Sequence, residues 1–178
     1  SLLPEALKNM KKKVTLDHIK SFFSLANEAK IPTFGYFILG FPEEDENYRH
    51  RFFDEIMQLN PSYMFLSVLT PLARTPLYDN LLKTGVYKKD YWGDFFKTPV
   101  KDFDLPLCRP KALHDELWAM LDESYKKFYL SRRFIVADLK RNASVKMLAM
   151  KAKMAFNLMF AKSQPNNTIE SPRINIQQ

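Results

Sequence analysis

The chain carries a single cysteine, Cys108, in 178 residues. One thiol excludes an intramolecular disulfide framework and any multi-cysteine metal cluster built by this chain alone. No apolar stretch reaches membrane-spanning length without an interrupting lysine or arginine, and no signal peptide opens the chain, so a cytoplasmic setting is expected. Acidic residues are also outnumbered, 20 against 27 lysines and arginines, which leaves a net charge of +7. No internal repeat is found. What is abundant is aromatic: 15 Phe, 8 Tyr and 2 Trp need a core to bury them, which excludes general disorder.

The pattern along the chain is that of an α/β protein. Residues 5–12 predict a short helix ending in Lys11-Lys12-Lys13. Thr15 is a suitable N-cap, Asp17 favours the first turn, and Ile19, Phe22, Phe23, Ala26 and Ala29 recur at helical spacing over 16–30. Ile31-Pro32 stops that helix. The run from Thr33 to Phe41 is nearly unbroken apolar and aromatic sequence, as expected of a parallel strand covered on both faces. An acidic break, Pro42-Glu43-Glu44-Asp45-Glu46, opens a second helix over 45–59, with Tyr48, Phe52, Ile56 and Leu59 on one stripe and Asn60-Pro61 at its end. Ser62 to Thr70 predicts a second buried strand closed by Pro71. Helix, strand, helix, strand with short connections is the order of right-handed crossovers in a parallel sheet.

Beyond the strands, a helix over 77–84 ends at Gly85, and 86–110 reads as a long irregular segment, rich in aromatics, that has room for short helical turns. Helices follow over 111–130, 132–141 and 144–162, and a polar tail over 163–178 is predicted to be disordered. Two parallel strands do not make a stable sheet. With the start at Ser1-Leu2-Leu3-Pro4, which lacks an initiator methionine, this predicts a truncated barrel or sheet. The expected organisation is therefore α/β: a partial barrel over 1–85, an aromatic segment over 86–110, a helical extension over 111–162 and the tail.

Two turns carry a resemblance. Met10-Lys11-Lys12-Lys13-Val14-Thr15, a helix, and Phe37-Ile38-Leu39-Gly40-Phe41-Pro42-Glu43-Glu44 resemble the second half of a radical S-adenosylmethionine (radical SAM) domain, where "K-K/R-x-T" opens a helix and a strand ends in "G-x-P-G-E-T". Pro71-Leu72-Ala73-Arg74-Thr75-Pro76-Leu77-Tyr78 resembles the next strand's "P-x-P-G-T-P-L-Y". The pair is similar above all to the branch that carries a cobalamin-binding domain, which includes methyltransferases and the anaerobic cyclase of chlorophyll synthesis. Members of that branch often continue into a helix like Phe128-Tyr129-Leu130-Ser131-Arg132-Arg133. The resemblance covers 1–85 well and 86–135 loosely. It departs where Glu43 stands for the usual Gly, and where Ala73-Arg74 replace Pro-Gly. The family's C-x-x-x-C-x-x-C loop is absent from this sequence, and Cys108 cannot replace it.

The resemblance implies the last βα units of a partial (β/α) TIM-like barrel, followed by an α-helical C-terminal extension. It implies S-adenosylmethionine and a 4Fe-4S cluster as cofactors, with cobalamin through an upstream domain, and radical chemistry leading to methyl transfer or ring formation. Ligands would sit at the C-terminal strand ends. Ile38 and Gly40 would flank the adenine, and Leu69 and Thr70 would close the other side. The partners implied are a small-molecule substrate and the missing N-terminal part of the same enzyme.

Other residues weigh less. Glu43 and Glu44 read as helix-start charges, and His18, His50 and His114 as surface histidines without metal-ligand spacing. Arg74 could pair with a ligand carboxylate but more simply sits solvated in a loop. The aromatic segment 86–103 caps the barrel mouth or packs on a cluster of its own. Residues 126–162 hold ten Lys/Arg and one acid, and 144–162 contains four methionines. Contact of that helix with an anionic membrane surface is a rival to packing on a domain surface, and nucleic-acid binding is disfavoured for want of a reader motif. The competing functions are a radical SAM tRNA-modifying enzyme and a non-enzymatic helical module that binds a membrane surface or a partner.

Overall fold

The computed structural model describes residues 1–101 and 103–141. The predicted helix 144–162, with its membrane contact, and the tail 163–178 lie outside the described residues. Among the described residues two compact units are present: 1–69 together with 117–141, and 70–116 without the undescribed residue 102. No helix among the described residues is long and apolar enough to cross a membrane.

In the first unit, α1 (Pro4–Asn9) and α2 (Leu16–Glu28) lead into β1 (Phe34–Leu39), α3 (Glu46–Leu59) and β2 (Tyr63–Val68). Local chemistry sets the boundaries. Thr15 caps α2 through a capping box in which His18 Nδ1 accepts the Thr15 N–H, so this histidine serves the helix start. Asp45 caps α3 by accepting the Tyr48 N–H at 2.6 Å. Asn60 ends α3 in the left-handed region at φ 55°, a conformation asparagine tolerates.

The two strands pair in parallel, Phe34 opposite Tyr63 through Leu39 opposite Val68. The expectation that both faces are covered is corrected. Burial alternates: Phe37, Leu39, Met64 and Leu66 are buried, whereas Phe34, Tyr36 and Phe65 are 52%, 73% and 47% exposed. On the buried face the Phe37 ring meets Phe52 of α3 edge-on at 6.4 Å, while the last described helix reaches the other face at Tyr63, whose ring meets Phe134 edge-on at 6.0 Å. On the open face Phe34 stacks on Tyr36 at 4.8 Å and Tyr36 lies 5.8 Å from Phe65.

α6 (Lys111–Tyr129) begins at the end of the second unit and continues into the first, and α7 (Arg132–Arg141) follows it in the chain. Tyr125 and Tyr129, one helical turn apart, reach the outer edge of β2. The Tyr125 hydroxyl accepts the Leu66 N–H at 2.9 Å and donates to the Leu66 carbonyl at 3.0 Å. The Tyr129 hydroxyl does the same for Met64, accepting its N–H at 3.2 Å and donating to its carbonyl. Two phenols thus stand in for the neighbouring strand that β2 lacks.

The second unit holds α4 (Pro76–Lys83) and α5 (Tyr91–Lys97). α5 falls inside the stretch expected to be irregular. Tyr78, Leu81, Tyr87, Trp92 and Leu105 form its core, and the Trp92 indole N–H donates to the buried Pro71 carbonyl at 3.0 Å. Phe95 and Phe103 stack at 4.3 Å beside Trp92. The aromatic segment therefore has a hydrophobic cluster of its own. His114, expected at the surface, is 7% exposed, and burial pulls its imidazole below the ordinary value.

Candidate functional site

The C-terminal strand ends are built from tight turns. Gly40 leaves β1 at φ 99°, a conformation that side-chain-bearing residues rarely adopt, so glycine is required there. Its N–H is taken: Glu44 Oε2 accepts it at 2.6 Å, and the Glu44 N–H in turn donates to the Phe41 carbonyl at 3.1 Å. Glu44 is only 7% exposed, and burial raises its carboxyl above the ordinary carboxylate value against the hydrogen bonds from Gly40 and Ser1. Its expected role as a helix-start charge is corrected. Asp45 caps α3, and Glu44 locks the turn. Glu43 accepts from Asn9 Nδ2 at 2.6 Å and has no left-handed backbone, which explains why a residue other than glycine fits there.

Of the four residues expected at the ligand face, Ile38 is half-buried on the open side of the sheet, across from Ser67 in the register. Gly40 follows at the strand end with its N–H already engaged by Glu44. Leu69 lies beside them, its N–H donating to the Leu39 carbonyl at 2.8 Å. Thr70 is exposed and opens the second unit. The structure thus brings Ile38, Gly40 and Leu69 together at one end of the two strands. Sequence reasoning missed Ser67 and Glu44. Ser67 would have followed from strict alternation, which the run of apolar residues around it hides.

Arg74 sits exposed in the second unit's first loop at φ 58°. It occupies in left-handed backbone the position at which the resembled motif has glycine. Its conformation is thereby accounted for without a ligand.

A cavity of about 450 Å³ opens at the opposite, N-terminal end of the strands, between Ile31-Pro32, Asn60-Pro61 and the start of α7, with Lys30, Arg133 and Lys140 around it. It lies away from the expected ligand face. No group of three or more His, Cys, Asp or Glu side chains among the described residues could hold a metal ion. Cys108, half-buried and accepting from Arg109 Nη2 at 3.4 Å, has no second thiolate to share a cluster with, so these residues do not fit an iron–sulfur centre.

A stretch of this chain is similar to a methyltransferase. The bacteriochlorophyllide d C-12(1)-methyltransferase of Chlorobaculum tepidum is 34% identical over 82 residues, which are 46% of this chain. The match spans 18% of that relative's length. No protein-family profile matches the chain, and no solved structure does.

Proposed function

We propose that this chain is the C-terminal part of a radical SAM methyltransferase, with the adenosyl group of S-adenosylmethionine held at the C-terminal ends of β1 and β2. The observation that carries the reading is the pair of glycine-type turns after adjacent parallel strands, Gly40 at φ 99° and Arg74 at φ 58°, each on a motif of the resembled family. The methyltransferase relative supports the same class of reaction. In this reading the strands belong to a partial barrel of which the described residues are the last βα units.

The chain's own residues have limited tasks. Ile38 offers an apolar wall and the Gly40 carbonyl accepts from an exocyclic amine, while Leu69 and Thr70 flank the ligand from the second strand. Glu44 holds the turn by engaging the Gly40 N–H. In this reading the cluster and any cobalamin belong to another part of the enzyme.

The experiment is to express the protein with the coding sequence that precedes Ser1, reconstitute it anaerobically with iron and sulfide, and supply S-adenosylmethionine with a labelled methyl group. Formation of 5′-deoxyadenosine and label transfer to a tetrapyrrole acceptor support the reading. A product that neither assembles a cluster nor binds S-adenosylmethionine overturns it.

A further inference from the structure

The cavity at the N-terminal strand ends is lined by residues of the first unit alone. Its apolar lining includes Ile31, which is 60% exposed, and the rings of Phe128 and Phe134, whose centres lie 5.6 Å apart. A volume of about 450 Å³ with apolar walls and a few convergent polar groups is the usual make-up of a small-molecule site. The charged lining has one sign. Among the described residues Lys30, Arg133 and Lys140 line the cavity and no Asp or Glu does. Asp138 of α7 is buried and accepts from the Tyr63 hydroxyl at 3.5 Å. Burial pulls the Arg133 guanidinium below its ordinary value, and no carboxylate among the described residues restores it.

A plainer role for the three cations is to offset the carbonyl ends of α2 and α3, which both finish beside the cavity. The bonds at those ends argue against it. α2 closes on its own backbone, with the Ile31 N–H donating to the Ala26 carbonyl at 2.9 Å and the Lys30 N–H to the Asn27 carbonyl at 3.1 Å. Asn27 Nδ2 donates to the Leu59 carbonyl at 3.2 Å, and one arm of Arg133 to the Met57 carbonyl at 3.3 Å. Among the described residues neither the Lys30 nor the Lys140 ammonium takes part in a hydrogen bond or an ion pair. Lys30 also stands at φ 56°, a left-handed position that favours glycine, so backbone preference does not explain a lysine there. α7, by contrast, starts at the cavity: Ser131 lines it and accepts the Phe134 N–H at 3.1 Å, which brings the positive end of that helix to the same place.

We infer that this cavity binds a small phosphate monoester, its dianionic head among Lys30, Arg133 and Lys140 and a flat apolar body against Phe128, Phe134 and Ile31. Three cations suit a dianion better than a single carboxylate. The planar fork of Arg133 keeps donors for phosphate oxygens after its one bond to Met57. The site lies at the opposite end of the strands from Gly40 and Leu69, and it does not rest on the proposed S-adenosylmethionine chemistry.

Titration of the 178-residue chain with phenyl phosphate, followed by calorimetry and by NMR of the amides, tests it. The expected result is a Kd below about 1 mM, with shifts concentrated at Ile31 and over 131–137. Affinity should fall at least about threefold between about 50 and about 300 mM salt. Phenol and inorganic phosphate each supply half of the contact and should bind at least about tenfold more weakly. Lys30→Gly with Lys140→Gln should weaken the ester at least about tenfold, while the melting temperature holds or rises because glycine suits the left-handed turn. The longer protein, made with the coding sequence ahead of Ser1, should bind the ester equally well with and without S-adenosylmethionine. Competition between the two ligands overturns the inference, since it would place the ester at the other strand ends. So does an absence of binding, and so does phenol or inorganic phosphate binding as tightly as the ester. Undiminished binding by the double variant also overturns it. A response to vesicles containing phosphatidic acid with none to the soluble ester overturns it too, and would assign the cations to a membrane surface.

Discussion

Replacing Tyr125 and Tyr129 by phenylalanine tests whether two hydroxyls close the edge of β2. Each phenol serves both an N–H and a carbonyl of one residue, Leu66 or Met64, and both residues are buried. Phenylalanine keeps the ring, and with it the stacked pair at 6.0 Å, so the change isolates the oxygen. An abandoned buried polar group costs about 1–3 kcal/mol. Because the tyrosines are half-buried, water satisfies part of that loss, and about 1–2 kcal/mol for each substitution is expected. The two single losses sum to about 2–4 kcal/mol, and because the rings stack at 6.0 Å on one strand edge a double-mutant cycle reads the coupling between them. Urea unfolding followed by circular dichroism reads this as a lower midpoint at unchanged m-value. Exchange at the Met64 and Leu66 amides should rise in the matching single variant only. A double variant that loses less than about 0.5 kcal/mol would refute the reasoning, since the edge would then be held by something other than these bonds.

Three further outcomes are expected. Arg74→Gly should stabilise the protein by about 1 kcal/mol, the cost of holding a side-chain-bearing residue in left-handed backbone, seen as a higher melting temperature. Gly40→Val should cost about 2 kcal/mol or more in folding from the same cause and from branching at Cβ, and should also abolish S-adenosylmethionine binding to the longer protein by calorimetry; a well-folded variant would mean the turn tolerates another conformation. His114 has its imidazole held below the ordinary value of 6.5 by burial, so its contribution is full above that pH and is lost as pH falls through the lowered value. Wild type should therefore lose melting temperature relative to His114→Leu between pH 6.5 and 4.5, and parallel curves would contradict the burial of this group.

Most helices and both strands were legible because their signals are local. Thr15 and Asp45 cap, Asn60-Pro61 and Ile31-Pro32 interrupt, and the stripe Tyr48, Phe52, Ile56, Leu59 is buried as its spacing predicts. The open face of the sheet was not legible. Phe34, Tyr36 and Phe65 read as core because an aromatic strand residue is the same letter whether or not anything covers it. The roles of Tyr125 and Tyr129 were hidden as well, since they depend on contacts about 60 residues distant in the chain. At the candidate site the need for glycine at Gly40 was legible from the turn. The use of Glu44 to occupy the Gly40 N–H was not, because a carboxylate at a helix start has an adequate local explanation already.

The tyrosine closure also sets a schedule for synthesis. β2 is complete at Val68, but the second hydroxyl that shields it arrives only with Tyr129, about 60 residues later. At bacterial-type elongation rates of about 5–20 residues per second, that interval is roughly 3–12 s. Throughout it the nascent strand offers its outward amides to any neighbouring chain on the same polysome. Translation slowed within 70–129 would lengthen the exposure, and the harvest of insoluble protein would rise with it although the finished fold is unchanged.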